Sequence, residues 1–455
     1  MSAYQKFLRD KQFMTQTSGF DADLSEYPLF DYQIDIVRWS CHRGKAAVFA
    51  DTGMGKTIMQ LAWADQVARH TGNPVLILAP LAVSDQTIAE GAKFGIHVDR
   101  YRFADVFGPH IYVTNYEQLH NVNADQFDGV VLDESSILKG MQGKVRKQVT
   151  SMFSATPYRL SCTATPSPND FMELGTQSEF LGIMSQVEML AMFFIHDGSD
   201  TSKWRLKGHG RRKFFEWLAT WAVFISKPSD LGYSDDGHEL PELIFHEHVI
   251  DSGITEGLFA PVATGLLDRN RARKDTVDAR VEQASIIANG INGQVLVWCH
   301  LNNESEKLSD AIDGAVEVTG SDPAAHKSAT MLGFASGDVP VLVSKPKIAG
   351  FGMNWQNCNH VVFVGLSDSW EQFYQAVRRC WRYGQTKPVH VHIVSADVEG
   401  GVLANIKRKE SQHKELKKEM IAIMRDKTLA QLGRAQQEKT QYQPELSMEI
   451  PSWIQ

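Results

Sequence analysis

The chain has 455 residues, 43% hydrophobic, 22% charged and 10% aromatic, enough to bury large cores in two or three domains. A formal net charge of −8 excludes a histone-like polycation, so contact with nucleic acid would have to run through local basic patches on an acidic body. Five scattered cysteines without a CxxC pair exclude a zinc ribbon and a disulfide framework and fit a reducing compartment.

The N-terminal stretch MSAYQKFLRDKQF lacks an apolar core and reads as soluble rather than as a signal peptide. From about residue 45, short apolar strands alternate with helix-length segments. Strands are expected at Ala46–Phe49, Val75–Ala79, Ile111–Thr114, Val130–Leu132 and Arg159–Cys162. Helical stretches between them imply parallel crossovers and a sheet covered on both faces. Residues 180–245 break that rhythm: MSQVEMLAMFF and RKFFEWLATWAVFI both read as helical, and Gly, Ser, Asp and Pro cluster over 226–241 as a connector. Strand-like runs resume at Ile244–Ile250, Val295–Cys299, Val316–Thr319, Val339–Val343, Val361–Val364 and Val389–Val394. The pattern predicts a first α/β unit over 1–178, a helical insertion and connector over 179–243, a second α/β unit over 244–400 and a basic helical tail over 401–455. No apolar run approaches the roughly 18 residues of a membrane span, so a cytoplasmic protein with no membrane partner is expected.

The strongest motif is Val48-Phe49-Ala50-Asp51-Thr52-Gly53-Met54-Gly55-Lys56-Thr57, a strand running into a glycine loop and then a helix. Phosphates need backbone N–H groups converging on them, and Gly53 and Gly55 permit that close approach. Lys56 supplies a neutralising ammonium and Thr57 a hydroxyl for Mg²⁺. Gly129-Val-Val-Leu-Asp133-Glu134 follows about 75 residues on, an apolar strand ending in two carboxylates. Asp133 is placed to hold Mg²⁺ and Glu134 to orient and deprotonate a water. Gln33, some 20 residues before the loop, offers the donor and acceptor that an adenine edge requires.

The order of these blocks resembles the Snf2 family of superfamily 2 helicase-like ATPases. Pro80-Leu81 and Thr114-Asn-Tyr116-Glu117 look like that family's first DNA-contacting blocks. Asp133-Glu134-Ser135-Ser136 departs from the family's DEAH in its last two letters, and Thr163-Ala164-Thr165-Pro166 is preferred over the earlier Ala155-Thr156-Pro157 as motif III. In the second half, Val295–His300 resembles motif IV, and Ser344–Asn354, including Gly352, resembles motif V. Gln375-Ala-Val-Arg378-Arg379-Cys-Trp-Arg382-Tyr-Gly384-Gln385 matches motif VI with the family's Asp replaced by Arg378.

The resemblance covers roughly residues 28 to 398 and implies two tandem RecA-like lobes, parallel sheets flanked by helices, with ATP and Mg²⁺ between them. Gln33, Gly53, Gly55, Lys56, Thr57 and Gly352 would bind the nucleotide, and Thr57 and Asp133 the metal. Lys56, Asp133, Glu134, Arg379 and Arg382 would carry the chemistry. Two arginines three apart on a helix share a face, and such guanidinium fingers contribute about 10³-fold or more to phosphoryl transfer. The implied function is an ATP-dependent translocase on duplex DNA, gripped mainly through backbone phosphates. Alternatives are a strand-separating DNA or RNA helicase, or the motor subunit of a larger repair, recombination or defence complex. The compact size resembles small Snf2-like proteins of phages and bacteria, and a protein on DNA would be nucleoid-associated.

Two basic stretches stay open to more than one reading. Residues 203–213 (KWRLKGHGRRK) fit either a phosphate-tracking patch or a solvated loop. In the tail, Lys407, Arg408, Lys409, Lys414, Lys417 and Lys418 fit a solvated helix best. Trp298, Trp355 and Trp370 are expected to pack rather than to stack on bases.

Overall fold

The computed structural model describes residues 17–139, 143–167, 170–197, 200–251, 275–349, 353–367, 369–397 and 400–431. Seven strands build the first sheet: β1 (Lys45–Ala50), β2 (Val75–Ala79), β3 (Val98–Arg100), β4 (Ile111–Asn115), β5 (Gly129–Leu132), β6 (Tyr158–Cys162) and, after an antiparallel hairpin of β7 (Phe194–Asp197) and β8 (Asp200–Leu206), β9 (Ala222–Ile225). Their order is β3-β4-β2-β5-β6-β1-β9, parallel throughout. The second sheet joins β10 (Leu243–Ile250), β11 (Val295–Trp298), β12 (Ala315–Val318), β13 (Val341–Ser344), β14 (His360–Val364) and β15 (Val389–Ala396) in the parallel order β10-β15-β14-β11-β13-β12. Two helix-flanked parallel sheets are the architecture of two tandem RecA-like lobes.

The period-2 alternation of β2 shows why these runs are strands. Val75, Ile77 and Ala79 enter the core on one face, and Leu76 and Leu78 enter the core on the other. A strand buried on both faces can be apolar at every position, which is how a parallel sheet between helices reads in sequence. Trp298, Trp355 and Trp370 are all buried packing residues of the second lobe. All five cysteines are buried free thiols.

Residues 179–243 do more than insert and connect. The stretch expected as one helix, RKFFEWLATWAVFI, is helical only over Arg211–Leu218. A turn follows, with Trp221 N–H bonded to the Leu218 carbonyl, and the chain re-enters the first sheet as β9 beside β1. The physical cause is tertiary: the outer edge of β1 is an unpaired ladder inside the core, and pairing satisfies its backbone groups. The run 203–213 divides between β8, a short 3-10 turn and that helix. Arg211 forms a bidentate pair with Glu419 and lies over the Phe171 and Phe215 rings, so it is a packing residue. Arg212 is exposed and pairs with Glu216 one turn on.

The tail departs furthest from expectation. Gly400–Gln431 is one 32-residue helix. Its Ile406 belongs to the core of the second lobe, whereas Met420 and Met424 belong to the core of the first. At 1.5 Å per residue those anchors lie about 21 to 27 Å apart along the axis. The helix is therefore a strut between lobes, and a solvated-helix reading fails for Lys417, whose side chain is only 16% exposed. Among the described residues no helix is long and apolar enough to cross a membrane.

Candidate functional site

At the end of β1 the chain turns through Asp51 and Thr52 into Gly53 and Gly55, with φ of +91° and +74°. Both glycines are required twice over. Their φ values disfavour a side chain, and a Cβ on Gly53 would lie 3.0 Å from the Tyr383 nitrogen, one on Gly55 2.2 Å from Gln33 Nε2. The helix then starts at Lys56 and runs to Thr71, stopped by Gly72 in the left-handed region and by Pro74. Thr57 thus sits in the first helical turn, beside N–H groups that no helical carbonyl takes.

Lys56 Nζ donates to the carbonyls of Ala50 at 2.9 Å and Asp51 at 3.3 Å. Burial pushes its ammonium down from the usual lysine range, while Glu134, Asp51 and Asp133 oppose that and Arg382 reinforces it. Gln33 lies against the same loop. Its Nε2 donates to the Met54 carbonyl at 3.1 Å and to the Tyr32 hydroxyl at 3.2 Å, and its Oε1 accepts from the Phe30 N–H at 2.9 Å. Phe30, Tyr32 and His238 cluster there with Tyr383 of the second lobe. Sequence reasoning missed this aromatic rim, although Tyr383 stands inside the motif VI block.

β5 delivers Asp133 and Glu134 to the same end of the sheet. Asp133 Oδ1 accepts from Gln60 Nε2 at 2.7 Å, and its carbonyl accepts from the Tyr116 hydroxyl at 2.7 Å. Gln60 is one turn after Lys56, so both project from one helix face. Glu134 Oε2 accepts from Thr163 Oγ1 at 3.4 Å. Burial raises both carboxyls above the ordinary carboxylate range, with Gln60 and Lys56 opposing at Asp133 and Lys56 opposing at Glu134. The later of the two candidate motif III copies is the one at the site: Thr163 meets Glu134, and Thr165 Oγ1 donates to Glu371 of the second lobe at 3.1 Å. The earlier Thr156 instead gives its carbonyl to Arg159 Nε at 2.9 Å.

The second-lobe arginines do not lie on a helix. The helix Trp370–Val377 ends before them, and Arg379, Cys380 and Trp381 continue in tight turns whose N–H groups reach back to Ala376 and Val377. The Arg379 carbonyl accepts from the Trp355 N–H, which draws the backbone out of helical register. Arg379 donates to the Met353 carbonyl at 3.0 Å and to Gln375 Oε1 at 2.9 Å, and Arg382 donates to the Met353 carbonyl at 3.2 Å. Burial lowers both guanidiniums to about 10, and Arg379 feels the charges of Glu134 and Asp133 in the opposite sense. The direct grip on the phosphate loop comes from Arg378, the residue that departs from the family pattern. Its Nε donates to Thr52 Oγ1 at 2.5 Å and a terminal nitrogen donates to the Thr52 carbonyl at 2.8 Å. Gly352 lies outside the described residues.

The structure thus brings Gln33, Gly53, Gly55, Lys56, Thr57, Asp133, Glu134, Arg379 and Arg382 to one interlobe cleft. An oxygen-only donor set of Asp133 and Thr57 suits Mg²⁺, which needs one or two protein ligands when phosphates and water supply the rest. Chemically, the cleft can cradle a polyanion, activate a water and neutralise charge from the opposite side.

Residues 31–174 match the DEAD/DEAH box helicase family, and residues 279–384 match the helicase conserved C-terminal domain. No curated protein matches the chain. Among solved structures, the fold is similar to the DUF1998 helicase MrfA bound to DNA and AMPPNP, at 14% identity and a TM-score of 0.53. That match covers 84% of this chain and 50% of MrfA, so the chain spans about half of that protein's length. The Sulfolobus solfataricus SWI2/SNF2 ATPase core in complex with dsDNA also aligns, at 18% identity and a TM-score of 0.42, covering 91% of this chain and 98% of that one.

Proposed function

From its membership of the superfamily 2 helicase-like ATPases, nucleic-acid-dependent enzymes that use ATP, we propose that this chain is a Snf2-like translocase on duplex DNA. In this reading Gln33 meets the adenine, Gly53, Gly55, Lys56 and Thr57 cradle the phosphates, and Thr57 and Asp133 hold Mg²⁺. Glu134 orients and deprotonates the attacking water, and Arg379 and Arg382 turn from the Met353 carbonyl toward the transferring phosphoryl. Gly352 completes the nucleotide set by resemblance alone.

The observation that carries the reading is the meeting of three chain segments, around 51–57, 133–134 and 378–382, in one cleft between two lobes. Closure over a nucleotide changes the relation of the lobes, and DNA laid across both is then gripped in alternation. Duplex preference rests on the glycine pattern of motif V and the Gly384-Gln385 ending of motif VI. The domain limits carried into this proposal are a first lobe to residue 178, an insertion over 179–243, a second lobe over 244–400 and a tail from 401; β9 and the C-terminal helix serve the first lobe from outside those limits.

ATP turnover is expected to rise on adding duplex DNA, more than with single strands or RNA, and Lys56→Ala is expected to abolish it. Equal turnover with and without nucleic acid would defeat the motor reading. A second reading, strand separation, is favoured by one observation, the antiparallel β7–β8 hairpin, a two-stranded element of the first lobe separate from its parallel sheet. Displacing a triplex-forming strand while leaving the duplex paired supports translocation; unwinding of a forked duplex supports the hairpin as a wedge.

A further inference from the structure

Asp51 puts a carboxylate at the mouth of a loop that has to accept a polyanion. Its side chain is 13% exposed, and four residues converge on it. The Thr52 N–H donates to Oδ1 at 2.9 Å, and the Tyr374 hydroxyl donates to the same oxygen. The Arg378 guanidinium lies 3.3 Å from Oδ1, and Lys417 Nζ donates to Oδ2 at 2.8 Å. Burial alone would raise this carboxyl; Lys417 and Arg378 hold it well below the usual carboxylate range.

The two cations arrive on different bodies. Arg378 and Tyr374 belong to the second lobe and leave Asp51 whenever that lobe swings away. Lys417 stands on the part of the C-terminal helix that is fixed to the first lobe. Met420 and Met424 are in the first-lobe core, Glu419 pairs with Arg211, and Lys417 lines a small cavity with Phe49, Ala164, Pro166 and Phe224. Lys417 is thus seated on the same body as the phosphate loop.

We propose that Lys417 is a positioning residue of the nucleotide site, supplied from the far end of the chain by the C-terminal helix. It compensates the Asp51 charge and keeps the phosphate loop receptive to an anionic nucleotide, whatever the second lobe is doing. The inference rests on reading the loop as the ATP site. Without Lys417, the closed arrangement leaves Asp51 with Arg378 as its one neighbouring cation, and the open one leaves a largely buried carboxylate with only its Thr52 contacts and no cation beside the incoming phosphates. Such a carboxylate repels the incoming phosphates, which weakens binding.

The test is calorimetric titration of the full-length chain with AMPPNP. Lys417→Met is expected to weaken binding by about tenfold or more, the scale of one lost hydrogen bond between charged groups. Lys417→Arg keeps the charge and restores binding. Adding Asp51→Asn to Lys417→Met recovers most of the loss, because no carboxylate is left to compensate while the acceptor for the Thr52 N–H remains. A helix needed only for packing would give a deficit that Asp51→Asn leaves untouched. Wild-type affinity in Lys417→Met, or a loss that persists in the double variant, overturns the proposal and leaves the ATP site standing. A wild-type chain that takes up no AMPPNP removes both.

Discussion

Glu134 holds a left-handed backbone conformation at φ +50°, one of two non-glycine residues among those described to do so. That conformation costs about 1–2 kcal/mol for a residue with a Cβ, and it persists only where neighbours over-determine it. Here the Asp133 N–H is fixed to the Leu78 carbonyl, the Tyr116 hydroxyl to the Asp133 carbonyl, and the Ile137 N–H to the Glu134 carbonyl. The turn carries the Glu134 carboxyl out of the strand direction and into the cleft, where it faces the charge of Lys56. A base in that position has to be ionised to take a proton from water. Burial raises its pKa, so turnover is expected to fall as pH is lowered through that raised value and to be complete above it. Glu134→Gln keeps the shape and the Thr163 contact but accepts no proton. Turnover should drop by at least about 10²-fold with AMPPNP binding retained, and the acid limb of the pH profile should vanish. A Gln variant that keeps both the rate and the acid limb would reassign the base.

At the scale of elements, the edge of the second sheet carries a feature that local reasoning passed over. The pairing of β10 with β15 sets His246 opposite His392, and that of β14 with β15 sets His360 opposite His390, while ring nitrogens meet on the diagonals His246–His390 and His248–His392. All five project to one face, with cross-strand nitrogen separations of 3.0 and 3.2 Å and rings stacked. Burial and the other imidazoles lower His392 to about 4, and His360 and His248 are lowered as well, His360 also by Lys387. A histidine with a depressed folded pKa stabilises the fold above its unfolded value near 6.5, and that contribution is lost as pH falls from there toward the folded value. The melting temperature should therefore decline between about pH 6.5 and 4, and His392→Gln should flatten the decline. An identical slope in wild type and variant would show that the ladder is not responsible. The strand register that builds this ladder is long-range, whereas the strands themselves were legible, because a doubly covered parallel strand is a run of apolar residues bounded by turn signals. The same rule misled over 214–225, where a largely apolar run broken only by Glu216 and Thr220 holds a helix, a turn and β9, and periodicity cannot separate buried helix from buried strand. The phosphate loop and the Asp-Glu strand end were legible for the opposite reason: their chemistry is packed into ten residues or fewer. Lys417, Tyr374 and Glu371 were not, since each meets its partner across more than 200 residues of chain.

On the scale of the whole molecule, charged groups bridge the two lobes at several points. Arg378 is buried against Asp51 and Thr52, and Glu371 accepts from Thr165 and pairs with Lys139. Removing charges from water costs nearly as much as their pairing returns, so such a junction is only slightly favourable and water can take over each partner when it parts. That balance suits the proposed motor, in which the lobes separate and rejoin, and the C-terminal helix packs on both. Glu371 is the clearest place to disturb it, because its side chain is 7% exposed while Lys139 is 40% exposed and can turn to solvent. Glu371→Ala removes the acceptor for Thr165 and Lys139 and leaves no buried unpaired charge on the second lobe. The closed arrangement should lose about 1–2 kcal/mol, a factor of roughly 5 to 30 in the balance between closed and open forms. Small-angle scattering without nucleotide should then show a larger radius of gyration for the variant than for wild type, and saturating AMPPNP should narrow the gap if nucleotide bridges the same two lobes. Superimposable scattering from both proteins would mean that Glu371 is not part of what keeps the lobes together, and that closure has to be sought in Arg378 and Tyr374 alone.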